Sequence, residues 1–380
     1  MKVWELKKNK EEITKFISFS WKIYQDDPNW VPPLKNDLLN FLLGKDVTKK
    51  IECGPHTFFM ASENGNLLGR ILVGINEKKN KRRNVKVGYF GLMELVNSDN
   101  VFQALMDNAL AWLRKQSIDT IIGPLYPDDD VEGRGLLIKG FDTSPVLMNP
   151  YNPIYYKELF DGNGFQKHTD FYAYYCDKIG SVVERTNKAA LFAMKKFNYR
   201  IDKIDFNNAE SEIRSIIEII NAIVSDSREE DNGFEYANPP TYEELSLDVK
   251  KLMAFLDKDL IYIARSGDTP IGFVLAMPDY SPILKKIRGK LFPFGFVIFL
   301  WYKRRMKGIR GFAQHVIPGF RYKAVNAAMF HKVIEEAIRK KYEYVECSQI
   351  SENNNRSRSI FEHAGFTPYK VYRVYQKRIE

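Results

Sequence analysis

Cysteine is scarce. The chain of 380 residues has three, Cys53, Cys176 and Cys347, far apart and with no histidine at ligand spacing. That argues against a disulfide scaffold or a zinc ribbon and fits a reducing, cytoplasmic setting. Long apolar runs are missing as well. The most apolar stretch, Leu291 to Tyr302 (LFPFGFVIFLWY), is too short to span a bilayer and is broken by Pro293 and Gly295. The opening residues, MKVWELKKNKEEI, carry charge from the first turn, so no signal peptide is read there. No hydrolase triad or dinucleotide fingerprint occurs. The run Asp128-Asp129-Asp130, followed by Glu132-Gly133-Arg134-Gly135, has neither the ligand spacing of a calcium loop nor the lysine of a nucleotide loop. It reads as a solvated turn, and no metal is expected.

What the chain does have is aromatic residues and an excess of cations, with a formal net charge of +9. The cations gather at Lys78 to Lys86 and at Lys285 to Arg310. Such a surface suits an anionic partner such as CoA, RNA or an acidic membrane, and the first cluster reads equally well as a solvated loop. The length favours two domains, each with its own core.

The elements predicted along the chain occur twice in the same order. In the first half come helical segments from Lys10 and from Asp37, then a hairpin through Asn64-Gly65, a strand at Val87 to Leu95 and a helix opened by Ser98 or Asp99. Its inward stripe is Phe102, Leu105, Met106, Ala109 and Leu113. A strand at Thr120, a short helix ending near Gly164-Phe165 and an aromatic strand at Asp170 to Cys176 complete the set. Helices at Ala209 and Tyr242 open the second half, and a hairpin at Leu260 to Ala276 follows. After an insertion from Asp279 to Met306 comes a strand ending at Val316. A helix from Val325 to Lys340 has Phe330, Val333, Ile334, Ala337 and Ile338 inward, and the strand Tyr369 to Tyr375 closes the order. The expected fold class is α/β in the α+β sense: two units, residues 1–180 and 181–380, each a mostly antiparallel mixed sheet flanked by helices. The cluster Asn149, Tyr151, Asn152, Tyr155 and Tyr156 reads either as a pocket wall or as packing.

The segment Arg310 to Phe366 is the most informative. A strand runs to Val316-Ile317-Pro318, a basic turn follows, and a helix opens at Val325. Free N–H groups at such a turn favour a phosphate. The pattern V-x-P-x-x-R, helix, strand, Asn354, Phe361 and Gly365-Phe366 resembles the core of the GNAT superfamily of acyl-CoA-dependent N-acyltransferases. The resemblance implies that the Val316 N–H meets the thioester carbonyl and that Arg321, Tyr322, Lys323, Ala324, Val325 and Asn326 hold the pyrophosphate. It further implies that Asn354 meets the pantetheine arm. Ala324 and Asn326 stand where the family has small residues, usually glycine, and Phe361 stands where it often has an acidic tyrosine. The first copy, with Asn97-Ser98-Asp99 at the corresponding turn, has an acid and no cation there. Arg321 and Lys323, with Lys307 and Arg310 upstream, assign CoA to the second copy.

Candidates for the proton-transfer group are Glu346 and Ser348, on one face of their strand, Glu352 at the following turn, and His315 before the phosphate turn. The function implied by the resemblance is transfer from acetyl-CoA or another acyl-CoA to a small-molecule or peptide amine. Two alternatives remain. A Fem-type aminoacyl-tRNA-dependent transferase also joins two GNAT-like units and would take tRNA as partner. A binding protein of the same fold would hold a ligand without turnover.

Overall fold

The computed structural model describes residues 1–46, 51, 54–127, 133–225, 240–253 and 255–379. Cys53 and the run Asp128 to Asp130 with Glu132 lie outside the described residues. The first half contains β1 (Lys2–Glu5), α1 (Lys10–Ile23), α2 (Lys35–Leu42), β2 (His56–Glu63), β3 (Asn66–Ile75), α3 (Glu77–Arg83) and β4 (Val87–Leu95). It continues through α4 (Asp99–Lys115), β5 (Thr120–Gly123), β6 (Leu136–Lys139), α5 (Tyr156–Gly162) and β7 (Gln166–Cys176). The second half contains α6 (Ile179–Lys196), β8 (Arg200–Lys203), α7 (Ala209–Val224), α8 (Tyr242–Leu252), β9 (Ile261–Ser266) and β10 (Thr269–Pro278). Then follow α9 (Ser281–Ile287), α10 (Gly295–Lys303), β11 (Gly308–Val316), α11 (Val325–Arg339), β12 (Tyr344–Ser351), α12 (Asn355–Ala364) and β13 (Thr367–Arg378).

Local chemistry accounts for most of these elements. The β2–β3 hairpin turns through Asn64 and Gly65, both at positive φ, as an Asn-Gly turn requires. Helix α4 buries Phe102, Leu105, Met106, Ala109 and Leu113, the predicted stripe. On α11 the stripe holds for Phe330, Val333, Ile334 and Ala337, but Ile338 is exposed. A full turn past Ile334, it has rotated beyond the packed face. The basic stretch after β3 is a helix rather than a loop. Asn76 caps α3 through Lys79 N–H at 2.8 Å, Asn84 ends it in the left-handed region, and Lys81, Arg82 and Arg83 sit in the last turn, where the helix dipole favours cations.

The two units share one strand pattern. In the first the order is β1-β2-β3-β4-β5-β13, antiparallel from β1 to β4 with β4 and β5 parallel. The second runs β8-β9-β10-β11-β12-β7, antiparallel from β8 to β11 with β11 and β12 parallel. In each, a helix connects the two parallel strands, α4 in one and α11 in the other. This is the duplicated, mostly antiparallel mixed sheet expected from the order of elements.

The compact units are interleaved along the chain. One comprises Met1–Tyr172, Ser281–Tyr302 and Lys370–Glu380; the other comprises Ala173–Tyr280 and Lys303–Tyr369. The C-terminal strand is counted with the first unit because β13 pairs antiparallel with β5, from Tyr375↔Gly123 to Arg378↔Thr120, and covers what would be its free edge. The insertion is counted there because it is tied to α1 and α2. Trp21 Nε1 donates to Arg288 O at 3.3 Å, Lys35 N–H to Gly289 O at 3.0 Å, and Lys285 Nζ to Ser144 Oγ at 2.7 Å. A Cβ on Gly289 would lie 2.2 Å from Pro33 O, so only glycine permits this approach.

The first unit's core is aromatic, with Phe90, Phe102, Phe160 and Phe165 in mutual contact. Beside it lies a buried polar cluster. Arg70 donates to Phe16 O at 2.7 Å and Ser20 Oγ at 2.6 Å, and Glu94 accepts from Tyr24 at 2.8 Å and Tyr156 at 3.0 Å. The sequence cluster around Tyr155 is hydrogen-bonded within the first unit. Tyr155 Oη donates to Leu95 O, Tyr151 Oη to Asp27, and Asn152 holds both backbone groups of Leu137.

Candidate functional site

In both units the parallel strands run together for a few residues and then part. What fills the gap differs. In the first unit β4 and β5 are in register from Val87↔Thr120 to Tyr89↔Ile122. Beyond that the backbone of Leu125 enters, its N–H bonded to Phe90 O at 2.8 Å, and a Cβ on Gly91 would lie 1.9 Å from Leu125 O. That gap is filled by main chain. In the second unit β11 and β12 are in register from Gly308↔Tyr344 to Gly311↔Cys347, and Phe312 to His315 beyond this point are partly exposed.

The hydrogen-bond alternation of β11 fixes where its amides point. Ile317 N–H bonds Ile271 O at 3.0 Å across the β10 pairing. Neighbouring positions of an antiparallel ladder alternate, so the N–H of Val316 faces away from β10, toward the side where β11 and β12 part. His315, the next residue inward, packs on Phe273 with ring centroids 5.4 Å apart. Burial, with the Arg321 charge adding to it, pushes its imidazole down to about 4, so it is neutral near pH 7.

Past Val316 the chain turns through Pro318 to Phe320 and reaches Arg321, Tyr322, Lys323 and Ala324. Ala324 is the N-cap residue of α11 in the left-handed region, φ 54 and ψ 21, and no side chain caps the helix. The turn is braced through its carbonyls. Tyr199 Oη donates to Lys323 O at 3.1 Å and Gln314 Nε2 to Asn326 O at 2.6 Å. Asn326 Oδ1 is buried and has no hydrogen-bond partner among the described residues. Lys323 Nζ lies 3.8 Å from the Phe320 ring centroid. Tyr322 is 83% exposed and accepts from Arg356 Nη2 at 2.6 Å, which adds a cation from the first turn of α12. Amide donors left over at a helix start, with no acid in the first turn, suit an anion. The matching helix of the first unit has Asp99 in that place, held by Gln103 and Asn163.

Ala324 holds a left-handed conformation that glycine adopts without strain. Ala324→Gly removes a Cβ from a disfavoured region and is expected to stabilise the protein by about 0.5–1 kcal/mol, measured by the denaturation midpoint of the second unit. A loss of stability would count against the left-handed assignment.

The remaining candidates are dispersed. Lys307 pairs with Glu343 at 2.8 Å, and Arg310 is buried beside Glu346 at 3.9 Å, so neither upstream cation joins the turn. Glu346 is fully buried, and the Ser348 carbonyl accepts from Arg310 Nη2 at 3.2 Å, which makes this part of β12 a packed polar element. The Asn354 side chain accepts from Ser357 N–H at 3.0 Å and caps α12. Glu352, half-buried, lends its carbonyl to Arg358 at 3.2 Å. Phe361 is buried against Tyr174, Phe330 and Phe366. The sequence reading missed Tyr199, Gln314 and Arg356. Only Gln314, two residues before Val316 on the same strand face, carried a signal.

A solved tandem GNAT protein from the clavulanic acid biosynthesis pathway superposes with a TM-score of 0.58 at 10% identity, covering 100% of this chain and 98% of that one. The chain has the tandem GNAT fold. No family model matches. Among curated proteins, YghO of Escherichia coli is 29% identical over 98% of this chain and 94% of its own length. A bacterial ceramide synthase of Caulobacter vibrioides is 26% identical over 98% of this chain and 96% of its own length. In this tandem GNAT fold the two units differ at the start of the helix between the parallel strands, where the second has Arg321 and Lys323 and the first has Asp99.

Proposed function

We propose that this protein is an N-acyltransferase that binds acyl-CoA in its second unit and transfers the acyl group to an amine. The observation that carries the reading is the contrast between units. Neither helix start has a side-chain cap, but the second follows Arg321 and Lys323 and leaves the Val316 N–H facing the parted strands, whereas the first has Asp99 in its first turn and the matching Leu95 N–H bonded to Tyr156 Oη at 2.7 Å. The pyrophosphate would lie on the amides of Ala324 to Asn326, with Arg321, Lys323 and Tyr322 around it. The Val316 N–H would polarise the thioester carbonyl. The amine nitrogen attacks the carbonyl carbon, the C–N bond forms and the C–S bond breaks. The nitrogen gives up one proton, and the departing thiolate of CoA takes one. Holding donor and acceptor together supplies much of the rate.

Proton transfer falls to a group near the parted strands. His315 is neutral but a weak base, Glu346 is compensated by Arg310, and Ser348 and Glu352 are the other candidates. The acyl group is acetyl or longer. One relative is named a bacterial ceramide synthase, so a long-chain amine is the first acceptor to try.

The test is differential scanning fluorimetry and calorimetric titration with CoA, acetyl-CoA, palmitoyl-CoA and tRNA. Acyl-CoA at about 100 times its Kd should raise the melting temperature by about 5 °C or more. Salt-sensitive tRNA binding without CoA affinity would favour the Fem-type alternative. Acyl-CoA binding without CoA release over an amine panel that includes sphinganine would favour a binding protein.

A further inference from the structure

We propose that the tip Phe292 to Trp301 is a docking surface for an anionic phospholipid bilayer. Helix α10 is inverted relative to an ordinary surface helix. Gly295 and Phe299 are buried, and Phe296, Val297, Leu300 and Trp301, at i, i+1, i+4 and i+5, form an exposed apolar face. The preceding turn adds Phe292 and Phe294, the latter 75% exposed. Six large apolar side chains thus stand exposed on one short segment. The segment is held to the first unit through Arg288 and Gly289, and the tip is folded back on itself by Phe296 N–H to Leu291 O at 2.6 Å.

Charge decides between a membrane and a protein partner. Lys285, Lys286, Arg288 and Lys290 precede the tip, Lys303, Arg304 and Arg305 follow it, and no Asp or Glu occurs between Asp279 and Glu335. An apolar tip rich in phenylalanine and tryptophan, in a segment that carries cations and no acid, matches the interface of an anionic leaflet: rings at headgroup depth, cations at the phosphates. A protein interface has no need of a flanking segment charged with one sign alone. The tip lies on the membrane and does not cross it, since no helix of the described residues is long and apolar enough to span.

The inference is independent of the acyltransferase reading, because its test reads binding to lipid and not turnover. The full chain is sedimented with vesicles of phosphatidylcholine alone and with about one-third phosphatidylglycerol. Binding to the anionic vesicles is expected to exceed binding to the neutral ones by about tenfold or more, and to weaken with salt. The substitutions Phe294→Ser and Val297→Ser together, both at highly exposed positions, should lower anionic-vesicle binding by about tenfold or more. Lys290→Glu with Arg304→Glu should abolish the preference for anionic vesicles and leave the fold, read by circular dichroism, unchanged. The proposal is overturned if the unmutated chain binds neither vesicle, or if the serine variant binds as well as the parent. It is also overturned if the tip instead drives a dimer that the serine variant dissociates and that does not bind lipid.

Discussion

Arg70→Met is expected to lower the stability of the first unit by about 3–5 kcal/mol, the loss typical of breaking a buried ion pair from one side. Arg70 is 2% exposed, stacks on Phe16 at 4.5 Å and lies 3.9 Å from Glu94. Methionine keeps much of the volume but leaves Phe16 O and Ser20 Oγ without their donor, and Glu94 with hydroxyl donors alone. Burial already raises the Glu94 carboxyl above its ordinary value, against the opposing pull of Arg70 and the Tyr24, Tyr156 and Ser20 hydroxyls. A carboxyl raised in the folded state contributes stability that is fully present below its unfolded pKa and lost as pH rises through the folded one. Without Arg70 that folded pKa rises further. The deficit of the variant should therefore be larger near pH 7 than near pH 5, as read by urea denaturation. Adding Glu94→Leu to Arg70→Met should recover much of the loss, since a buried pair replaced by apolar groups is often neutral. A single-variant deficit below about 1 kcal/mol at neutral pH would rule out the buried-pair account.

Caps and stripes made the elements legible in the sequence. Asn64-Gly65, the stripe from Phe102 to Leu113 and Gly365 after α12 each state a local preference that tertiary packing did not overturn. The partner of a strand was not legible in the same way. Nothing within β13 says that it will cover β5, because a strand's neighbour is chosen by which edge is free. The packing of the insertion on the first unit likewise depends on Trp21 and Lys35, more than 250 residues away. At the candidate site, Arg321 and Lys323 were visible because they are consecutive with the helix start. Tyr199, Gln314 and Arg356 act there through contacts of the folded chain, and Lys307 and Arg310 dropped out because each found a carboxylate of its own. Proximity in sequence finds a loop; it does not find what braces the loop.

Arg321→Glu is expected to weaken CoA binding by about 100-fold or more. A charge-assisted hydrogen bond to phosphate contributes roughly 1.5–3 kcal/mol, and putting a carboxylate in its place adds like-charge repulsion at the same point. At 1.4 kcal/mol per factor of ten, these sum to two or more decades. The braces of the turn, Tyr199 to Lys323 O and Gln314 to Asn326 O, run to backbone carbonyls, and circular dichroism of the variant separates a loss of affinity from a loss of fold. Lys323→Ala, at a cation partly engaged with the Phe320 ring, should cost less, about tenfold. The ratio of affinities among CoA, acetyl-CoA and palmitoyl-CoA carries further information. If Arg321 meets only phosphates, its loss weakens all three by the same factor, because they share the pyrophosphate and differ only beyond the sulfur. If the factor grew with acyl length, Arg321 would be acting on the acyl end and the proposed orientation along β11 would be reversed. Undiminished binding in the variant would place the donor away from the α11 turn altogether.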